Sequence, residues 1–181
     1  MLIIFVGPSG SGKNSIMNGV MERIDGIEIM KSCTTRPKRQ VVDNSYFYLS
    51  EDEFKDKLDN DEFFETEMVH NGIWYGTLKK SVDNVITSDK HYIKDIDVHG
   101  SDKLFDYLKK HNKILRIFVD APDEMLKDRL KKRGETDEKI SLRMSRADYE
   151  RTHKHKYDLC VDNINLNEAV DKVVEFIKKN V

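Results

Sequence analysis

The chain begins with an unbroken apolar run, Leu2-Ile3-Ile4-Phe5-Val6. A short run of this kind predicts a parallel strand buried on both faces. Ile16, Val20 and Ile24 then recur every four residues, with Met17 and Met21 beside them, which is the spacing of an amphipathic helix. Ile27-Glu28-Ile29-Met30 alternates and predicts a short strand, and Tyr46-Phe47-Tyr48-Leu49 another. Ser50 followed by Glu53 is a capping box for a helix that turns Phe54 and Leu58 inward. Asn71-Gly72 predicts a hairpin turn. A helical pattern covers 78–86, and a strand ending in acids covers 91–98. Ser101 can cap a helix carrying Leu104, Phe105 and Leu108. A second buried strand follows over 114–119. Pro122 fits the first turn of a helix running through Met125, Leu126 and Leu130 to Gly134. Thr136 can cap a helix with Ile140 and Met144 on one face and charges on the others. Leu159-Cys160-Val161 predicts the last strand, and Val170, Val173, Val174 and Ile177 the inner face of the last helix.

Strands that alternate with helices predict an α/β chain with a parallel central sheet and helices on both faces. A ligand then belongs at the carboxyl ends of the strands. The block 32–78 is rich in turns and strands instead, and reads as an insertion on that core.

The turn after the first strand carries the chemistry. Gly7-Pro8-Ser9-Gly10-Ser11-Gly12-Lys13-Asn14-Ser15 fits G-x-x-x-x-G-K in the setting the motif needs, strand before and helix after. Three glycines let successive amides point at phosphate oxygens, the helix start adds its positive dipole end, and Lys13 can reach the β- and γ-phosphates. The residue after the lysine is Asn14, where a hydroxyl is usual for holding Mg²⁺. An amide oxygen can ligate Mg²⁺ too, directly or through water. Without a nucleotide, the same residues make a structural glycine-rich turn.

The 181 residues suffice for one domain with a core. Charged residues make up 35% and net charge is -2, so a general nucleic-acid binder is not expected. Anion affinity must come from local arginines, and five of the nine (Arg129, Arg133, Arg143, Arg146, Arg151) fall in one stretch. Cys33 and Cys160 lack metal-ligand spacing and read as small buried hydrophobes in a reducing compartment. No targeting segment and no membrane-length apolar run is seen, so a cytoplasmic location is expected. Ser32 to Arg39 crowds hydroxyls and guanidiniums onto a turn stopped by Pro37. Arg36 and Arg39 can converge on one phosphate, or form a solvated basic loop. Glu65 and Asp97, taken singly, are equally solvated acids. His153 and His155, between lysines, read as a basic patch.

Taken together, these stretches resemble the guanylate kinase family of nucleoside monophosphate kinases over nearly the whole chain. The resemblance rests on Gly7 to Lys13, Ser32 to Arg39 with Tyr46, Glu65 with Tyr75-Gly76-Thr77, Asp95-Ile96-Asp97, and the arginines from Arg129 to Arg143. It implies a P-loop three-layer α/β/α fold with a core (1–31, 79–126, 152–181), an inserted acceptor-binding region (32–78) and a helical lid (127–151). It implies transfer of the γ-phosphate of ATP to GMP, with Mg²⁺ as cofactor. ATP would sit on Gly7, Pro8, Ser9, Gly10, Ser11, Gly12, Lys13, Asn14 and Ser15. The GMP phosphate would meet Ser32, Arg36, Arg39, Tyr46 and Tyr75, and its base Glu65, Thr77 and Asp97. Lys13, Arg36, Arg129, Arg133 and Arg143 would carry catalysis, and Asn14 and Asp95 would hold Mg²⁺, directly or through water. Departures are Asn14, the short 40–44 stretch without the usual glycines, and Asp162-Asn163 in place of the usual order near the donor's adenine. Two other readings stand beside this one. A kinase of ribose 1,5-bisphosphate carries a similar loop without needing a base-reading set. A non-catalytic protein-binding module of guanylate-kinase type tends to lose the phosphate loop.

Overall fold

The central strand is the one the apolar run predicts. In the computed structural model, which describes residues 1–38, 44–69 and 72–181, β1 (Leu2–Val6) has all five residues at 0% exposure. With β2 (Ile27–Ile29), β7 (His91–Asp95), β8 (Ile114–Asp120) and β9 (Leu159–Asp162) it forms a sheet of order β2-β7-β1-β8-β9. Every pairing in that sheet is parallel. On one face, α1 (Lys13–Met21) and α7 (Leu166–Asn180) bury Ile16, Val20, Val170, Val173 and Ile177. A Cβ added at Gly19 would lie 2.8 Å from a Val170 methyl, so glycine there lets the two helices close. On the other face, α3 (Lys79–Thr87) and α4 (Val98–Leu108) bury Val82, Val85, Leu104 and Leu108. Each such side chain contributes about 1.5–3 kcal/mol on leaving water.

The insertion is a sheet of its own, with order β4-β3-β6-β5. β3 (Ser32–Thr34) pairs parallel with β4 (Tyr46–Tyr48) and antiparallel with β6 (Ile73–Leu78), which pairs antiparallel with β5 (Phe63–Val69). The hairpin is thus present, although Asn71 lies outside the described residues. Phe54 of α2 (Glu51–Asp59) stacks on Phe63 at 4.5 Å between ring centres, and Cys33 and Trp74 complete a small core. The Ser50–Glu53 box forms as expected, each backbone amide meeting the other's side chain.

Several local expectations are corrected. Ser32–Thr34 is a strand rather than a turn, because β6 supplies its ladder. β7 stops at Asp95, and α4 is capped by Asp97 rather than Ser101, since one carboxylate oxygen accepts from both the His99 and Gly100 amides. Pro122 precedes α5 (Asp123–Lys132) as its N-cap instead of sitting in its first turn. Leu58 and Cys160 are exposed: each lies on the solvent side of its element. Thr136 caps α6 (Asp137–Arg151), and Gly134, at φ +78°, ends α5. α5 runs across residue 127, the expected start of the lid.

Candidate functional site

The carboxyl ends of β1 and β7 open on a cleft of about 710 Å³. Gly7, Ser9 and Lys13 wall one end; Ser32, Arg36, Tyr46 and Tyr75 of the insertion wall the other. Glu65, Asp95 and Asp97 lie between them, and Arg143 and Arg146 close it from α6.

Backbone sterics require the loop's glycines. Gly7, Gly10 and Gly12 have φ of +136°, +91° and +93°, a region costly for residues with a Cβ. A Cβ at Gly7 would lie 1.9 Å from the Val119 carbonyl oxygen, and one at Gly12 2.2 Å from Asn163 Nδ2. Gly12 is also the N-cap of α1, whose first turn carries no acidic residue, so the positive helix end faces the cleft undiminished. Lys13 Nζ donates to the Gly7 carbonyl (2.6 Å) and the Pro8 carbonyl (3.2 Å), and stands 3.8 Å from Asp95.

Two residues brace the loop from behind. Arg129 donates to the carbonyls of Gly10 (3.2 Å), Ser11 (3.3 Å) and Asn163 (2.9 Å). Asn163, itself buried, donates to the Ser11 carbonyl at 2.7 Å. Between them they fix the Gly10 and Ser11 carbonyls. Arg129 thus touches the loop from outside the cleft instead of lining it. Arg133, the exposed residue that ends α5, and Asn14 and Ser15, exposed on the first turn of α1, are not among the cleft walls either. Arg39 lies outside the described residues.

At the far end, the Arg36 guanidinium lies over the Tyr46 ring, 4.9 Å from its centre, and that ring meets Tyr75 edge-on at 5.8 Å. Stacking fixes the fork that a phosphate or carboxylate would meet. Glu65 is buried at 9% exposure and pairs in register with Thr77, which is fully buried and behind the cleft wall. Burial pushes the Glu65 carboxyl above its usual range, while the Thr77 hydroxyl and the Lys94 ammonium pull the other way.

Sequence reasoning passed over three side chains here: Glu67, Arg146 and Lys94. Glu67 lines the cleft, and Arg146, expected on an exposed helix face, reaches it from α6 at 3.5 Å and also meets Glu150 at 3.4 Å. Arg143, expected from the resemblance, lines the cleft and donates to Ser9 Oγ (2.8 Å) and Glu135 (2.7 Å). Lys94 is fully buried beneath the floor. A lysine inside an apolar strand was the one visible signal; the others depend on contacts between distant elements.

The titrations of Glu67 and Asp97 are linked. Burial first, then the hydrogen bond and the charge of Asp97, push Glu67 up to about 7 against the pull of Arg146. Burial works against the charge on Asp97 as well, but the hydrogen bond from Glu67 and the Gly100 and His99 amides outweigh it and lower its pKa. The raised Glu67 value means the folded chain holds the Glu67 proton more tightly than the unfolded one. The stability it gives is complete below pH 4.5 and is lost as pH rises through about 7. Glu67→Gln donates to Asp97 at every pH. Relative to the parent it should gain about 1 kcal/mol between pH 5 and pH 8, discounted for partial exposure. Urea melts of both proteins at the two pH values read this, and an equal difference at both would refute the raised Glu67 value.

Among the described residues, no helix is long and apolar enough to cross a membrane, and no group of three or more His, Cys, Asp or Glu could enclose a metal.

A protein-family model described as guanylate kinase matches residues 1–180. A guanylate kinase of Thermotoga maritima is 36% identical over 181 residues, covering 98% of this chain and 86% of that protein. One of Clostridium perfringens is 38% identical over 177 residues, covering 96% of this chain and 80% of that protein. Among solved structures, the guanylate kinase of Anaplasma phagocytophilum matches with a TM-score of 0.76 at 22% identity, over 99% of this chain and 84% of that one. At that identity the likeness speaks for the fold.

Proposed function

The chain belongs to the guanylate kinase family, and we propose that it transfers the γ-phosphate of ATP to GMP, giving ADP and GDP, within the cleft. One observation carries this reading: a glycine loop with Lys13 at one end of a cavity faces a stacked arginine, a serine and two tyrosines at the other, with a buried carboxylate between.

The donor's phosphates lie on the loop from Gly7 to Ser15. The 32–78 insertion holds the acceptor, with its phosphate on Ser32, Arg36, Tyr46 and Tyr75. Glu65 accepts from guanine N1–H and N2–H₂. Adenine lacks that donor edge and would leave the buried acid unpaired. Phosphate needs no strong base as nucleophile, because it is already largely ionised near neutral pH. In-line transfer then depends on alignment and on cations that meet the developing charge. Arg143, on the 127–151 lid, reaches the loop's mouth at Ser9 and supplies one of them; closure by α6 excludes water.

Mg²⁺ fits this site as a nucleotide-borne ion. Such an ion is typically held by one or two carboxylates, water and the phosphates themselves. Asp95 lines the cleft beside Lys13 and is the carboxylate placed to hold it. Asn14, exposed on α1, would act through water. Held there, the ion would supply charge neutralisation to the donor's phosphates.

The test is a coupled assay with ATP and Mg²⁺. GMP should release ADP, and AMP should be poorer in kcat/KM by about 10³-fold or more. No GMP-dependent ADP release would end this reading.

A further inference from the structure

Among the described residues, Lys94 is the most deeply buried cation near the cleft, at 1% exposure, on β7 beside the central strand. Its neighbour Ile93 faces the α1–α7 core, so strand alternation sends Lys94 to the opposite face, under the insertion. There its Nζ donates to Ser32 Oγ. Glu65 on β5, Asp95 and Asp97 after it, and Cys33 on β3 are the titratable groups whose charge it feels. Ser32 lines the cleft beside Arg36.

We propose that Lys94 is a positioning residue for the acceptor's phosphate, acting through Ser32. An ammonium has donors and no acceptor. Facing it, Ser32 Oγ must accept, so the hydroxyl's own proton turns elsewhere, and the cleft is the open side. A serine free to rotate would spend part of its time with that proton turned away. Lys94 removes this choice. Buried ammonium is expensive unless paired and hydrogen-bonded; Ser32 supplies a hydrogen bond and the charges of Glu65 and Asp95 favour the ammonium, but burial still pulls Lys94 down to about 8. The inference rests on the GMP reading above and adds a residue that never touches the substrate.

The test is a double-mutant cycle on acceptor and donor KM, using Lys94→Met, Ser32→Ala and the double variant, with GMP and ATP. Each single variant should raise the KM for GMP about tenfold, the scale of one hydrogen bond to a charged group. The KM for ATP and kcat should change by less than about threefold. The double variant should match the worse single variant, because the directed proton can be lost once. A purely structural lysine would give additive effects, or losses shared equally by GMP and ATP, and either result overturns the proposal. Ser32→Ala decides the matter alone should Lys94→Met fail to fold: an unchanged KM for GMP in that variant means the hydroxyl does not face the phosphate. Turnover of GMP by the parent separates the two levels. Its absence defeats the functional reading and the inference with it, whereas turnover with an additive cycle defeats the inference only.

Discussion

Lys13→Met lowers kcat by about 10³-fold, a loss near 4 kcal/mol of transition-state stabilisation. Methionine keeps the stem's length and packing while deleting the charge. The fold does not depend on that charge, since the loop's shape is held by its glycines and by Arg129 and Asn163 behind it. What disappears is a cation held at the mouth of the loop, bonded to Gly7 and Pro8 carbonyls and near Asp95. The melting temperature should move little. Single-turnover measurements with ATP and GMP check this; a rate within tenfold of the parent would remove Lys13 from the chemistry.

The second large effect is on choice of base. Glu65→Gln should lower kcat/KM for GMP by about 10²-fold and leave AMP within a fewfold, narrowing the preference accordingly. The amide has the shape of the carboxylate but one acceptor in place of two, and its NH₂ confronts the guanine donors. The acid is also balanced from below by Lys94, which counters the burial that pushes its pKa up. Competition assays with the two acceptors read the ratio, and a variant with the parent's GMP preference would show that another group reads the base.

How much of this was legible depends on sequence distance. The glycine loop was readable because strand, turn and helix are contiguous and each glycine has a local steric reason. The Ser50–Glu53 box and the Thr136 cap were readable for the same cause. Asp97 was not read as a helix cap, because a carboxylate after Ile96 looked like the end of a strand. The second sheet was seen only as a turn-rich insertion, since β3 is three residues long and becomes a strand through β6, about forty residues on. Arg146 and Glu67 are 79 positions apart, and no local pattern links them. Arg129 fits the arginine pattern of the resemblance, yet its bonds to the Gly10 and Ser11 carbonyls exist only through the tertiary fold.

One end of α6 is moored. Arg151, at its last turn, grips Asp120 with two nitrogens and also reaches Asp123, and Lys154 adds a further bond to Asp120. From the middle of the same helix, Arg143 and Arg146 reach over the cavity. Swinging about that anchor would bring both guanidiniums in or take both out. Charge would then reach the reactants as a unit, so that half-closed geometries offer water little help in cleaving the donor on its own.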